Sequence, residues 1–145
     1  MIKRFICCLL MVIFLFPPTV TARDTVQTFE IAEVVDNPEY AARLTGVRFF
    51  FGEQAHPPAI KKFGEFRTNK KTNAFNKTDK FACQWAFLSA LLQLQERAVS
   101  LGGNAVVNIK SNYKNVPASS ETHFTCGAGN VVAGVALIGD IVSTK

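Results

Sequence analysis

Two of the four cysteines, two histidines and one cluster of cations are the residues with which this chain could do chemistry. Cys83 and Cys126 are an even pair. They lack the C-x-x-C spacing of redox motifs and the clustered ligands of a zinc site, so they read as one disulfide. Closing the loop between residues 83 and 126 would stabilise by about 4 kcal/mol in the chain-entropy model. His56 precedes two prolines, and reads as an exposed turn residue. His123 and Cys126 are three apart, and on a strand that spacing points them to opposite faces, so no metal site is expected. Ser119-Ser120-Glu121 near His123 is the one nucleophile-and-base arrangement. Such clusters are common in turns, and no catalytic residue is assigned. Glu53, Glu65 and Asp79 are too scattered to form a glycosidase pair. Asn76-Lys77-Thr78 fits a glycosylation pattern but reads as a helix cap.

The cation cluster is the strongest surface signal. Residues 61–80 hold Lys61, Lys62, Arg67, Lys70, Lys71, Lys77 and Lys80 against Glu65 and Asp79, with Phe63, Phe66 and Phe75 interleaved. Basic stretches with aromatics between them bind anionic surfaces or nucleic acid. Lys61, Lys62, Arg67, Lys70 and Lys71 are the candidate contacts to an anionic partner. A solvated connection before a helix is the competing reading.

The N-terminus decides which anions are relevant. Lys3-Arg4 precedes an apolar run from Phe5 to Phe16, then Pro17-Pro18 and Val20-Thr21-Ala22. A charged start, an apolar segment too short to anchor and a small-residue end make a secretory signal peptide, residues 1–22. Cys7 and Cys8 lie too early in that run for a lipid-attachment site. Cleavage after Ala22 would leave residues 23–145 as a single domain in the periplasm or outside the cell, with no transmembrane anchor. The whole chain has 16 basic and 11 acidic residues, net +5. Losing Lys3 and Arg4 reduces that to +3. In such a compartment, anionic lipid head groups and acidic polymers are the expected partners; nucleic acid and nucleotides are not. No cofactor is expected.

The elements that must position these residues follow from periodicity. Asp24–Glu30 alternates as a first strand, and Ile31–Leu44 reads as helical, interrupted at Asn37-Pro38. Gly46–Gly52 and Lys62–Asn69 read as strands, with Lys70–Lys80 a polar connection. Asn76 or Thr78 caps a long helix that Gly102-Gly103 ends near Leu101. Asn104–Tyr113 and the segment from Thr122 to Cys126 alternate as strands, and Val131–Val142 is apolar on both faces, as a central strand would be. This order predicts an α+β fold: a mostly antiparallel sheet with one long helix packed across it.

The helix has more apolar surface than one sheet face can cover. Phe81, Trp85, Leu88, Leu92 and Val99 fall within about 60° of one another, and Phe87, Leu91, Leu94, Ala98 and Leu101 lie roughly 100–140° away. If the first set faces the sheet, Phe87, Leu91 and Leu94 need other cover. Either the N-terminal segment supplies it, or a second copy does and these three residues form a self-association face.

The segments "QERAVSLGGNAVVNIKSNYKN" and "HFTCGAGNVVAGVALIGDIV" resemble the helix, Leu-Gly-x-Asn-Ala-Val-Val strand and terminal strands of the YbjQ-like proteins. The Asn-Ala-Val-Val element also resembles the cysteine-bearing domain of the outer-membrane lipoprotein that senses envelope stress for the Rcs pathway. Nearly the whole chain after Ala22, including "FFFGEQAHP" and "SSETHFTCGAGNVVAGVAL", is similar to small exported proteobacterial proteins of unknown function. Those proteins often carry a name borrowed from an excinuclease ATPase subunit. No G-x-x-x-x-G-K-[ST] loop is present, which excludes the phosphate cradle that name implies. The resemblance implies an α+β, YbjQ-like fold, a tendency to form rings, and no catalytic residues.

Residues and resemblance together predict an exported envelope protein that binds or assembles without catalysis. The alternative is a small hydrolase acting on an envelope polymer. A pocket with converging carboxylates or a histidine would favour the alternative.

Overall fold

The computed structural model describes residues 16–19 and 22–145. The apolar run up to Leu15 and Val20-Thr21 of the expected signal peptide, with Cys7 and Cys8, lie outside the described residues. The elements in order are β1 (Thr25–Glu30), α1 (Ala32–Val35), α2 (Pro38–Ala41), β2 (Arg48–Phe51), β3 (Ala59–Asn73), α3 (Asp79–Leu101), β4 (Ala105–Ser111), β5 (His123–Ala128) and β6 (Val132–Thr144), with a 3₁₀ turn at Tyr113–Asn115. They form the expected α+β arrangement, a curled, mostly antiparallel sheet with α3 across one face.

β6 is the axis of the sheet. β3 pairs with it antiparallel along its whole length, from Ala59↔Thr144 to Asn73↔Val132. On its other side β5 takes the first rungs and β4 the later ones. β1 extends the sheet from β5, and β2 pairs with β4, the one parallel pair among the described strands. A strand flanked on both sides and covered on one face must be apolar at most positions, which is why Val132–Val142 shows no alternation. β3 makes no second strand pairing among the described residues, so its outer edge is open.

β3 is longer than expected. It continues through Lys70–Asn73, where the sequence reads as a polar connection. As an edge strand over solvent it needs no apolar residues there, so its polar composition masks it.

α3 starts and stops where local chemistry dictates. Thr78 Oγ1 accepts from Phe81 N at 3.1 Å, Asp79 occupies the first turn, and Gly102 closes the helix in the left-handed region at φ 82°. The short α1 and α2 lie alongside it. Asn37 caps α2 through Glu39 N, with Pro38 in the first turn. Tyr40 of α2 meets Trp85 edge-on at 5.9 Å, and Arg43 lies over the same indole.

α3 buries parts of both apolar sets: Leu88 of the first lies in the core, with Trp85 and Leu92 packed against it, beside the second set. Phe87, Leu91, Leu94 and Ala98 are fully buried, in one core with Phe124, Val135, Leu137 and Ile141. Phe87 stacks on Phe124 with centroids 4.0 Å apart. Phe81 and Val99 are the exposed ones, at 48% and 61%. The expected self-association face at Phe87, Leu91 and Leu94 is thus corrected: these side chains are core within one chain. The curled sheet and the α1–α2 segment, held by Gln95 Nε2 to the Arg43 carbonyl at 3.0 Å, cover most of the wide apolar arc.

Cys83 of α3 and Cys126 of β5 are joined by a disulfide, Cα to Cα 5.8 Å. It ties the helix to the sheet beside the Phe87–Phe124 stack.

Candidate functional site

The other face of the sheet carries the site. Register decides which β3 residues reach it: Lys71 stands opposite Gly134, Asn69 opposite Ala136, and Arg67 opposite Ile138. Gly127 of β5 pairs with Gly134 of β6, so the sheet surface there is bare of side chains. A trough of about 710 Å³ lies over this floor. Arg67, Asn69 and Lys71 line one side, and Asn112, Tyr113, Lys114 and Asn115 the other.

The far wall is built by a backbone that few residues adopt. Lys114 and Asn115 have φ of 52° and 61°, turning the chain so that Tyr113 lies back over Gly127. Left-handed backbone at a lysine is uncommon and costs free energy. An ion pair offsets it, since Lys114 Nζ lies 2.7 Å from Asp24 Oδ2 and Tyr113 donates to Asp24 Oδ1 at 3.1 Å. The hydrogen bonds from Lys114 and Tyr113 hold the Asp24 carboxyl below its ordinary range, and Asp24 in turn raises Lys114. Partial burial, then the bond to Asp24, pushes the Tyr113 phenol up.

Arg23, the expected first residue after cleavage, closes one end. Its guanidinium binds both carboxylate oxygens of Asp79 at 2.8 Å, with Asn130 and the Gly129 carbonyl at 2.9 Å. Gln27 adds a bond to Asp79 at 2.9 Å. The Arg23 hydrogen bond dominates the lowering of the Asp79 carboxyl below its usual value.

Arg23 and Lys114 are therefore held in close ion pairs, whereas Arg67 is paired only loosely and Lys71 not at all among the described residues. Arg67 has only an exposed contact to Glu65 at 3.8 Å, and Lys71 forms no ion pair among the described residues. A concave surface with one unpaired and one loosely paired cation, a phenol and amides can hold an anion. No side chain in it is arranged as a nucleophile with a base.

The five cations expected to act together are divided by the strand. Arg67 and Lys71 face the trough. Lys70, opposite Val135, points to the α3 side, as does Lys61, whose ammonium lies 5.0 Å from the Phe63 ring. Lys62 sits beyond a bulge, at the end of the sheet where Ala105, Val107 and Val142 form a small second cluster with Phe50 and Ala59. Tyr113, Lys114, Asp24 and the glycine floor were not indicated by the sequence, because only the Gly127↔Gly134 register assembles them.

The two histidines lie elsewhere. His56 Nδ1 is 2.8 Å from the Pro57 carbonyl, with its ring 5.7 Å from Phe50. His123 pairs in register with Glu30 and lines a separate cleft of about 520 Å³ with Glu121, Ile31 and Phe49. Its Nδ1 is 2.8 Å from Thr122 Oγ1. Cys126, three residues on, is buried and committed to the disulfide.

The fold and this site define an α+β protein with an open, basic sheet face. No family model, curated protein or solved structure matches the chain.

Proposed function

We propose that this is an exported envelope protein that binds an anionic envelope component in the trough, without catalysing a reaction on it. The observation that carries the reading is the pair of cations over a floor of Gly127, Gly134 and Ala136: Lys71, in no ion pair among the described residues, and Arg67, held only by an exposed 3.8 Å contact to Glu65. The disulfide is compatible with an oxidising compartment, and the resemblance to small exported proteobacterial proteins supports the same address.

Binding to acidic glycans and to anionic vesicles tests it. Arg67→Gln with Lys71→Gln should weaken binding several-fold and flatten its salt dependence, while Lys61→Gln with Lys62→Gln should change it less. Equal loss in both double variants, or none in either, removes the trough as the site.

One observation favours the hydrolase reading: His123 shares its cleft with Glu30 and Glu121. That reading requires turnover of an envelope polymer that His123→Ala abolishes.

A further inference from the structure

One end of the trough carries an apolar tip that the fold does not explain. The turn between β3 and α3 is closed by Lys77 N to the Ala74 carbonyl at 3.1 Å, which puts Phe75 and Asn76 at its apex. Asn76 takes φ 55°, and Asn73 Oδ1 accepts from Phe75 N at 2.9 Å, so the turn is built and held. Phe75 is nevertheless 60% exposed. Turn apices favour polar residues, and phenylalanine gains nothing there in water.

The β5–β6 turn lies beside it, joined by Ala74 N to the Val131 carbonyl at 2.7 Å. It presents Val131 and Val132, exposed at 60% and 45%. Three large exposed apolar residues thus stand close together, Phe75 and Val131 on two adjoining turns and Val132 at the start of β6. Exposed apolar groups scattered singly need no explanation, but a cluster does. Lys71 and Lys77 flank it, neither in an ion pair among the described residues; Lys77 Nζ contacts only the Asn73 carbonyl, at 3.1 Å.

Apolar tips ringed by cations fit the boundary of an anionic bilayer, where side chains enter the acyl region and ammonium groups meet the head groups. We infer that this end of the molecule docks on an anionic membrane leaflet, with Phe75, Val131 and Val132 inserted and Lys71 and Lys77 at head-group level. The inference rests on the anion-binding reading and names its partner as a lipid surface. A water-borne acidic polymer would satisfy Arg67 and Lys71 but would leave Phe75 without a role.

Flotation with phosphatidylcholine vesicles, with and without phosphatidylglycerol, tests this on protein from an envelope fraction, comparing variants that share one N-terminus. Wild type should bind only the anionic vesicles and retain part of that binding in high salt. Phe75→Ser should weaken binding by roughly tenfold and make the remainder fully salt-reversible, the loss expected for one large side chain leaving an apolar environment. Phe75→Trp should bind as wild type and shift its emission to the blue on adding anionic vesicles. An unchanged melting temperature for Phe75→Ser excludes misfolding, as expected for an exposed turn.

Binding by Phe75→Ser equal to wild type, with loss only in Arg67→Gln/Lys71→Gln, overturns membrane insertion and leaves the anion trough standing. So does binding to a soluble acidic polysaccharide without binding to vesicles. Binding to neither overturns both.

Discussion

The Tyr113 hydroxyl occupies the space that a side chain at Gly127 would need. Tyr113 and Gly127 are therefore one unit: the phenol forms a wall of the trough only because the strand beneath it carries no Cβ. Gly127→Ala should push the ring away, loosen its bond to Asp24 and cost about 1–3 kcal/mol. In Tyr113→Ala the same glycine substitution should cost far less. Calorimetric melting of the four proteins measures this coupling; additive losses would mean that the two residues do not share the space.

The ion pairs at the N-terminal end should contribute to the response to acid. Asp79 and Asp24 are held below their ordinary values, by hydrogen bonds from Arg23 and from Lys114 respectively. A lowered carboxyl contributes stability above its unfolded value, near 3.9, and loses it as pH falls through the folded value. Melting temperature should stay level from neutrality to about pH 5 and decline below about pH 4. Asp24→Asn with Asp79→Asn should lower the plateau and flatten the decline. An acid limb superimposable on that of wild type would show that other groups control it.

Disulfide loss should be costly without changing the trough. Cys83→Ala with Cys126→Ala removes a closure of 43 residues, worth about 4 kcal/mol before any strain. Cys83 and Cys126 should resist thiol labelling in unreduced, unfolded protein. Two labelled thiols there would mean that the bridge does not form in the cell.

Leu91 and Val99 test which side of α3 is core. Leu91 is fully buried and Val99 is 61% exposed. Leu91→Glu should cost about 3 kcal/mol or more, because a carboxylate has no partner in that core. Val99→Glu should stay within about 0.5 kcal/mol of wild type. A folded monomer from Leu91→Glu and an oligomer from wild type would restore the interface reading of this face.

Local signals made much of the fold readable in advance. Thr78 and Gly102 delimit α3 through capping and left-handed backbone, and Asn37-Pro38 separates α1 from α2. Val131–Val142 declares itself central by being apolar on both faces. The helix orientation did not follow, because an apolar arc of about 200° contains two faces that each fit a sheet. The trough was half visible. Arg67 and Lys71 belong to an evident basic run, yet nothing in that run distinguishes them from Lys70, which the strand turns away. Tyr113 and Gly127 meet only through the path of the 3₁₀ turn, and no spacing in the chain encodes that.

The open edge of β3 has a bearing on how copies of this protein tolerate crowding. Fifteen residues of strand with no second partner among the described residues are a template for a neighbouring strand, and such edges seed aggregates unless they are guarded. Here the guard is charge: Lys61, Lys62, Arg67, Lys70 and Lys71 would face their own kind across an edge-to-edge pairing, and the bulge around Gly64 interrupts its register. Such repulsion weakens as salt screens it or as a bound anion neutralises it. The cations that suit this strand to an anion therefore also keep it apart from its own copies, and colloidal stability should be lowest when the trough is full.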